Sequence, residues 1–305
     1  MKASPVRLGL IGGGRWGRNY VKTIAALDGA RLVRLGDPDA AAWTVADGSC
    51  ATTADWREVA AADDLDGVII AAPPSWHARM VRAAVEAGRA VLVEKPLTLD
   101  AAEAADLGAF VAAHGGLVMV DHIHLFNPAF RRLKALVGGS GPIREIHAVM
   151  GNHGPFRTDA SVLWDWGAHG VAMCLDLLGT AVSEVTAERL ETRPIEGTTG
   201  EILDLHLRFN GGTDARIRIG NIMDKTCRFE AATDAGRLIF DDLAESKLVR
   251  HPGGAVAVTA RPPLAVVVEE FAEAIRAGAD HWADLDLGVA VTAVLACCQT
   301  ALEET

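Results

Sequence analysis

Tyrosine is almost absent from this 305-residue chain, with Tyr20 the only one. Its place near the N-terminus leaves no tyrosine in the second half to act as a catalytic acid. The five cysteines, Cys50, Cys174, Cys227, Cys297 and Cys298, show no C-x-x-C pair and no disulfide spacing. That scatter excludes a disulfide framework and reads as reduced, mostly buried thiols in a cytoplasmic protein. The adjacent Cys297 and Cys298 fall in an apolar helical pattern and read as packing. Positive charge is also short: 29 Lys and Arg stand against 40 Asp and Glu, for a net charge of −11. Nucleic-acid surfaces need clustered Lys and Arg, so no nucleic-acid partner is expected. No stretch approaches the roughly 18 uninterrupted apolar residues of a membrane span, so no membrane partner is expected either. The chain opens directly into a strand pattern, without the apolar core and cleavage site of a signal peptide.

What is present begins with VRLGLIGGGRWG, Val6 to Gly17. Val6, Leu8, Leu10 and Ile11 make a short apolar run of buried-strand length. Gly12, Gly14 and Gly17 then fall at G-x-G-x-x-G spacing. In a dinucleotide site the first permits the tight strand-to-helix turn, the second lets backbone approach a pyrophosphate, and the third packs helix against strand. Arg15 and Trp16, inside the turn, are expected cofactor contacts with them. Tyr20, Ile24 and Leu27 keep helical spacing along the helix that follows. A second apolar run ends at Asp37, twenty residues beyond Gly17, where an acid accepts hydrogen bonds from an adenosine ribose. The plainer reading is a turn-former before Pro38. An acid there repels a 2′-phosphate and no Arg stands beside it, so NAD(H) is expected over NADP(H).

Short apolar runs then alternate with Ala-rich helical segments as far as Val120, which implies a parallel sheet covered on both faces. From about His122 longer strands alternate polar and apolar residues. Along Ile202 to Phe209, Leu203, Leu205, Leu207 and Phe209 share one side, and Asp204, His206 and Arg208 the other. That pattern predicts a half-solvated, mainly antiparallel sheet. The expected architecture is α/β. Residues 1–121 form a doubly wound, Rossmann-type parallel-sheet domain, and residues 122–305 an α+β domain with a large, mainly antiparallel open sheet. The two closing helices are free to pack back on the first domain.

Lys95 lies at a strand's C-terminal end, on the edge where a nicotinamide belongs. Its plainer reading is a surface pair with Glu94. Asp165 and His169, spaced i and i+4, share a helix face, which lets the carboxylate orient the imidazole. A surface pair or a helix cap at Asp165 is the alternative. Pro74, His77 and Glu94 fall on the same edge as Lys95 and are expected near the cofactor, although His77 also suits a helix-start hydrogen bond. Asn152 and His153 follow a strand bordering the expected cleft and are expected substrate contacts. His122 and His124 would share a strand face, but no third ligand stands at metal-site spacing, so no metal is expected.

VLVEKPLTLD, IIAAPPSWH and VLWDWGAHGVAMCLDLLG together resemble the Gfo/Idh/MocA oxidoreductases, over nearly the whole chain. The resemblance implies an NAD(H)-dependent enzyme acting at a secondary alcohol or ketone carbon of a sugar, cyclitol or nucleotide-sugar. In it Lys95 and His169 share proton transfer and Asp165 tunes His169, and all three also face the substrate. VDHIHLFNPAFRRLK resembles members acting on nucleotide-linked amino sugars. The resemblance further implies homodimers or homotetramers, built on the open face of the second sheet. Where several relatives carry an Asp, this chain has Gly170 and Ala172. Two alternatives stay open: a non-catalytic NAD-binding sensor of the same fold, and a dehydrogenase of a non-sugar diol.

Overall fold

The computed structural model describes residues 4–195, 197–279 and 283–304. Its contacts divide the chain into two units, Met1–Asp121 with Pro262–Val289, and His122–Arg261 with Ala290–Thr305. The segment from Pro262 to Val289 therefore belongs with the first unit, not with the second half of the chain.

The first unit runs β1 (Val6–Ile11), α1 (Gly17–Ala25), β2 (Ala30–Gly36), β3 (Ala51–Thr53), α2 (Trp56–Ala60), β4 (Gly67–Ile70), α3 (His77–Glu86), β5 (Ala90–Glu94), α4 (Ala101–His114) and β6 (Val118–Asp121). The strands form a six-stranded sheet in the order β3-β2-β1-β4-β5-β6. Every pairing is parallel, which gives the doubly wound order of dinucleotide-binding folds. β4 is buried throughout and β1 at every position but Arg7. Their continuous apolar runs therefore fit a sheet covered on both faces. α3 supplies Met80, Val81, Ala84 and Val85 to this core.

The second unit runs α5 (Pro128–Val137), β7 (Ile143–His153), α6 (Ala168–Leu178), β8 (Val182–Ile195), β9 (Thr198–Phe209), β10 (Asp214–Gly220), β11 (Ile222–Thr233), β12 (Gly236–Asp241), β13 (Leu248–His251) and β14 (Gly254–Ala255). Its eight-stranded sheet has the order β14-β13-β12-β11-β7-β10-β9-β8. The β10–β7 pair is parallel and all the others are antiparallel. Leu203, Leu205, Leu207 and Phe209 are buried, while Asp204, His206 and Arg208 keep some exposure. α5 seals one end of the core, with Phe130 meeting Phe229 edge-on at 5.5 Å between ring centroids.

Two more helices close the chain, α7 (Pro263–Ala277) and α8 (Ala283–Glu303). α7 lies so close to β4 that a Cβ added to Gly67 would stand 2.8 Å from Ile275 and 3.0 Å from Phe271. Residues of α8 fall in the first unit up to Val289 and in the second from Ala290. Its Asp284–Glu303 stretch is long and apolar enough to cross a membrane by composition. In the fold its apolar residues Leu285, Val291, Leu295 and Leu302 are buried instead, the pattern of a core helix.

Two sequence expectations change. The Arg216–Ile222 run, whose alternation predicts one strand, is the end of β10 and the start of β11, separated at Asn221. That buried side chain accepts a hydrogen bond from the Glu201 amide at 2.8 Å and so holds the chain reversal. His122 and His124 do not share a strand face either. β6 stops at Asp121, and the bonds from Leu125 N–H to the His122 carbonyl and from Asn127 N–H to the His124 carbonyl wind this stretch into a 3₁₀ turn.

Candidate active site

The glycine turn joins β1 to α1, and the three glycines differ in what surrounds them. Gly12 has φ +98°, and a Cβ there would meet the Ala71 carbonyl oxygen at 2.4 Å. A Cβ on Gly17 would stand 1.9 Å from the Gly12 carbonyl oxygen, so only glycine lets α1 start this close to β1. Around Gly14, by contrast, nothing lies within 4 Å of an added Cβ. Two glycines thus serve the turn itself, and the third leaves a backbone approach open toward solvent. Gly14, Arg15 and Trp16 are all exposed.

Asp37 follows β2 and reaches back to this turn. One carboxylate oxygen accepts the Gly13 N–H at 2.7 Å and the other the Asp39 N–H at 2.9 Å. The turn-forming reading therefore describes it, with the carboxylate held beside the glycine turn. A carboxylate accepts about four hydrogen bonds, so these two leave capacity for a ribose.

Further along the same sheet, the ends of β4, β5 and β6 carry Pro74, His77, Glu94, Lys95 and Asp121. Pro74 opens a short 3₁₀ turn and is buried. His77 is fully buried, with Nδ1 2.9 Å from the Pro96 carbonyl oxygen and Nε2 2.9 Å from that of Ala72. It ties the turn after β4 to the turn after β5 from inside the unit. Glu94 and Asp121 are register partners at the ends of adjacent parallel strands. The Tyr20 hydroxyl lies 2.9 Å from Glu94 Oε1 and 2.5 Å from Asp121 Oδ2. Trp16 Nε1, from the glycine turn, also donates to Glu94 Oε1. Burial, reinforced by the Asp121 charge, holds the Glu94 carboxyl well above the usual carboxylate range. Burial likewise pushes Asp121 up to about 6, against the opposing hydrogen bond from Tyr20. Lys95, partly buried, follows immediately. Sequence periodicity showed Tyr20 only as part of an apolar stripe. Its hydroxyl partners are 74 and 101 residues away, and the one available signal was two acids closing neighbouring strands.

In the second unit, Asp165 lies on a π-helical turn, Leu163–Gly167, that leads into α6, and His169 lies in the first turn of α6. Asp165 Oδ1 accepts from Arg157 Nη1 at 3.2 Å. Arg157 also grips Asp159 through two bonds of 2.8 and 2.6 Å, which adds a guanidinium that the sequence reading missed. The His169 ring meets His124 edge-on, centroids 4.8 Å apart, with Trp166 on another side at 6.2 Å. His124 in turn has both ring nitrogens 3.8 Å from Cys227 Sγ. Gly170 lets α6 seat on β10, since a Cβ there would stand 2.6 Å from Ile217 Cγ2. Asn152 and His153 end β7. The Asn152 side chain accepts the His153 N–H at 2.9 Å, and the His153 ring packs edge-on against Phe156. Among the described residues no group of three or more His, Cys, Asp or Glu is arranged to hold a metal ion.

Residues 6–122 match the family model described as an oxidoreductase family with an NAD-binding Rossmann fold. A crystal structure of a protein designated an oxidoreductase, from Magnetospirillum magnetotacticum MS-1, is 43% identical with a TM-score of 0.91, covering 97% of this chain and 100% of that one. UDP-N-acetylglucosamine 3-dehydrogenase from Acidithiobacillus ferrooxidans is 26% identical with a TM-score of 0.85, covering 98% of both chains. Inositol 2-dehydrogenase 4 of Saccharopolyspora erythraea is 37% identical over 139 residues, 44% of this chain and 41% of that protein. Matches to the first curated relatives span about half of those proteins, 56%, 41% and 58% of their lengths. With a doubly wound nucleotide-binding unit, an antiparallel second sheet and a full-length relative at this identity, the chain belongs to the Gfo/Idh/MocA family of oxidoreductases.

Proposed function

We propose that this protein is an NAD(H)-dependent dehydrogenase acting on a secondary alcohol or ketone carbon of a sugar, cyclitol or nucleotide-sugar. The observation that carries the reading is the contrast among the glycines. Gly12 and Gly17 are boxed in by backbone, while nothing stands within 4 Å of a Cβ added at Gly14. That open approach, beside the start of α1, suits a pyrophosphate, because a helix N-terminus favours an anion. Gly14, Arg15, Trp16 and Asp37 would hold the dinucleotide, and Asp37, acidic and already fixed at Gly13, favours NAD(H) over NADP(H).

When bound, the nicotinamide supplies a hydride acceptor or donor at its C4. The chain's own groups hold and move the hydroxyl proton of the substrate. Lys95, at the end of β5, is the candidate from the first unit, and His169 the candidate from the second. Asp165, held by Arg157, is placed one turn before His169 to orient its imidazole. Asn152 and His153, ending β7, are the further candidates for substrate contact. Names of relatives support the substrate class: inositol for one and a UDP-linked amino sugar for another.

Self-association as a dimer or tetramer is assigned to the outer face of the second sheet. There Arg218 pairs with Asp204 and Arg208 with Asp214, so the face carries both signs of charge and suits a second copy of itself. A cytoplasmic location accords with the five free thiols.

Replacing Lys95 by Ala tests the reading. General acid–base catalysis is worth about 10²–10⁴ in rate, so turnover should fall by that order with NAD binding largely kept. Turnover that survives Lys95→Ala removes Lys95 from the chemistry.

A further inference from the structure

The hydroxyl of the chain's only tyrosine stands between two carboxyl groups at the end of the parallel sheet, and its hydrogen-bond count does not close unless one of them is protonated. A phenol has one proton to donate. Tyr20 Oη lies within hydrogen-bond distance of both Glu94 Oε1, at 2.9 Å, and Asp121 Oδ2, at 2.5 Å. It donates to the nearer, Asp121, and the Glu94 and Asp121 side chains are also hydrogen-bonded to each other. Two carboxyl groups can bond in this way only where one of them keeps its proton. Asp121, which takes the phenol proton as well, is the carboxylate, and Glu94 is the protonated acid.

Electrostatics around the cluster agree. Two carboxylates closing adjacent strands repel, and burial disfavours both charges. The groups facing the pair are Tyr20 from α1, Trp16 Nε1 from the glycine turn and the Lys95 ammonium from the end of β5. One positive charge there balances one carboxylate.

We propose that Glu94, Tyr20 and Asp121 form a proton-sharing latch in which Glu94 stays protonated at neutral pH, with Tyr20 and Asp121 acting as positioning residues for the Glu94–Lys95–Pro96 segment. The latch joins the start of α1, the glycine turn and the ends of β5 and β6, which are the elements that would carry a dinucleotide. It deepens the dehydrogenase reading and rests on it for the role of Lys95. Removing the proton sets two carboxylates side by side and breaks the hydrogen bond between them, so the edge loosens at high pH.

Infrared spectra of the protein without cofactor or substrate test the proton directly. At neutral pH the wild type should show the carbonyl stretch of a protonated carboxylic acid, sensitive to exchange into D₂O. Glu94→Gln should lack it, and in Asp121→Asn the band should disappear at lower pH because the charge that holds the proton on Glu94 is gone. A wild type with no such band at neutral pH, or a band unchanged in Glu94→Gln, overturns the latch. The positioning role is read separately with Tyr20→Phe, which deletes only the hydroxyl. Its dissociation constant for NAD should rise about tenfold, and the rise should narrow at high pH, where repulsion between the two carboxylates already loosens this edge in the wild type. Equal NAD affinity in Tyr20→Phe and wild type across that range overturns the positioning role. A wild type that shows the band but binds no dinucleotide overturns the positioning role together with the dehydrogenase reading, and leaves only the shared proton standing.

Discussion

A methyl group at Gly14 and a methyl group at Gly17 should have opposite consequences. At Gly17 the added carbon would lie 1.9 Å from the Gly12 carbonyl oxygen. Both partners are backbone, so neither can rotate away, and α1 must shift from β1. Overpacking of this kind costs about 1–3 kcal/mol and occasionally more. For a unit of this size that is several degrees of melting temperature, at roughly 2–4 °C per kcal/mol. At Gly14 the added carbon meets nothing within 4 Å. Gly14→Ala should therefore melt within about 0.5 kcal/mol of wild type, as ordinary surface substitutions do. If a pyrophosphate occupies that open approach, the same methyl weakens dinucleotide binding by about 5- to 150-fold, the equivalent of 1–3 kcal/mol. Thermal melts and fluorescence titration with NAD, run on both variants, separate the two effects. A Gly14→Ala protein that binds NAD as tightly as wild type would refute the placement of the phosphates. An unchanged melting temperature in Gly17→Ala would refute the close helix–strand approach.

Asp37→Asn keeps an acceptor for the Gly13 amide while removing the charge that repels a 2′-phosphate, so the NADP-to-NAD affinity ratio should rise about tenfold. An unchanged ratio, or a wild type already tighter for NADP, rejects the cofactor preference. The buried acids set a pH dependence of stability whose sign is fixed. The carboxyl pKa of Asp121 is raised in the folded state, from 3.8 to about 6, and that of Glu94 is also raised well above its usual range. Between these folded values and the unfolded ones the native state binds more protons, so stability falls as pH rises, by about 3 kcal/mol for Asp121 alone. Melting temperatures of Asp121→Asn should accordingly gain on wild type between pH ~4 and ~6. Parallel pH profiles for the two proteins contradict the assignment.

Much of the first unit was legible because its signals are local. Buried parallel strands announce themselves as apolar runs, and the β1 turn needs glycine for steric reasons that spacing alone conveys. β3 escaped, being three residues long with no buried position. β11, Ile222–Thr233, shows in the sequence only as a strand pattern over Arg228–Ala232. Its register shifts between Ile222 and Thr226, and an irregularity of that kind breaks the alternation on which strand reading depends. In the candidate site, Lys95, Asp165 and His169 were read from motifs that carry their own chemistry. The site was illegible where chemistry arises from residues far apart in the chain. Tyr20 with Asp121, Arg157 with Asp165, and Cys227 with His124 are brought together by sheet order and helix seating, which no local pattern encodes.

The account stands or falls on hydride transfer itself. Incubating the wild-type protein with NAD and a panel of polyols, sugars and nucleotide-sugars, and following reduced nicotinamide by absorbance, tests it most directly. The account predicts substrate-dependent formation of NADH with at least one member of the panel, falling by about 10²–10⁴ in Lys95→Ala. Tight NAD binding with no turnover across the whole panel would contradict it and point to a dinucleotide sensor.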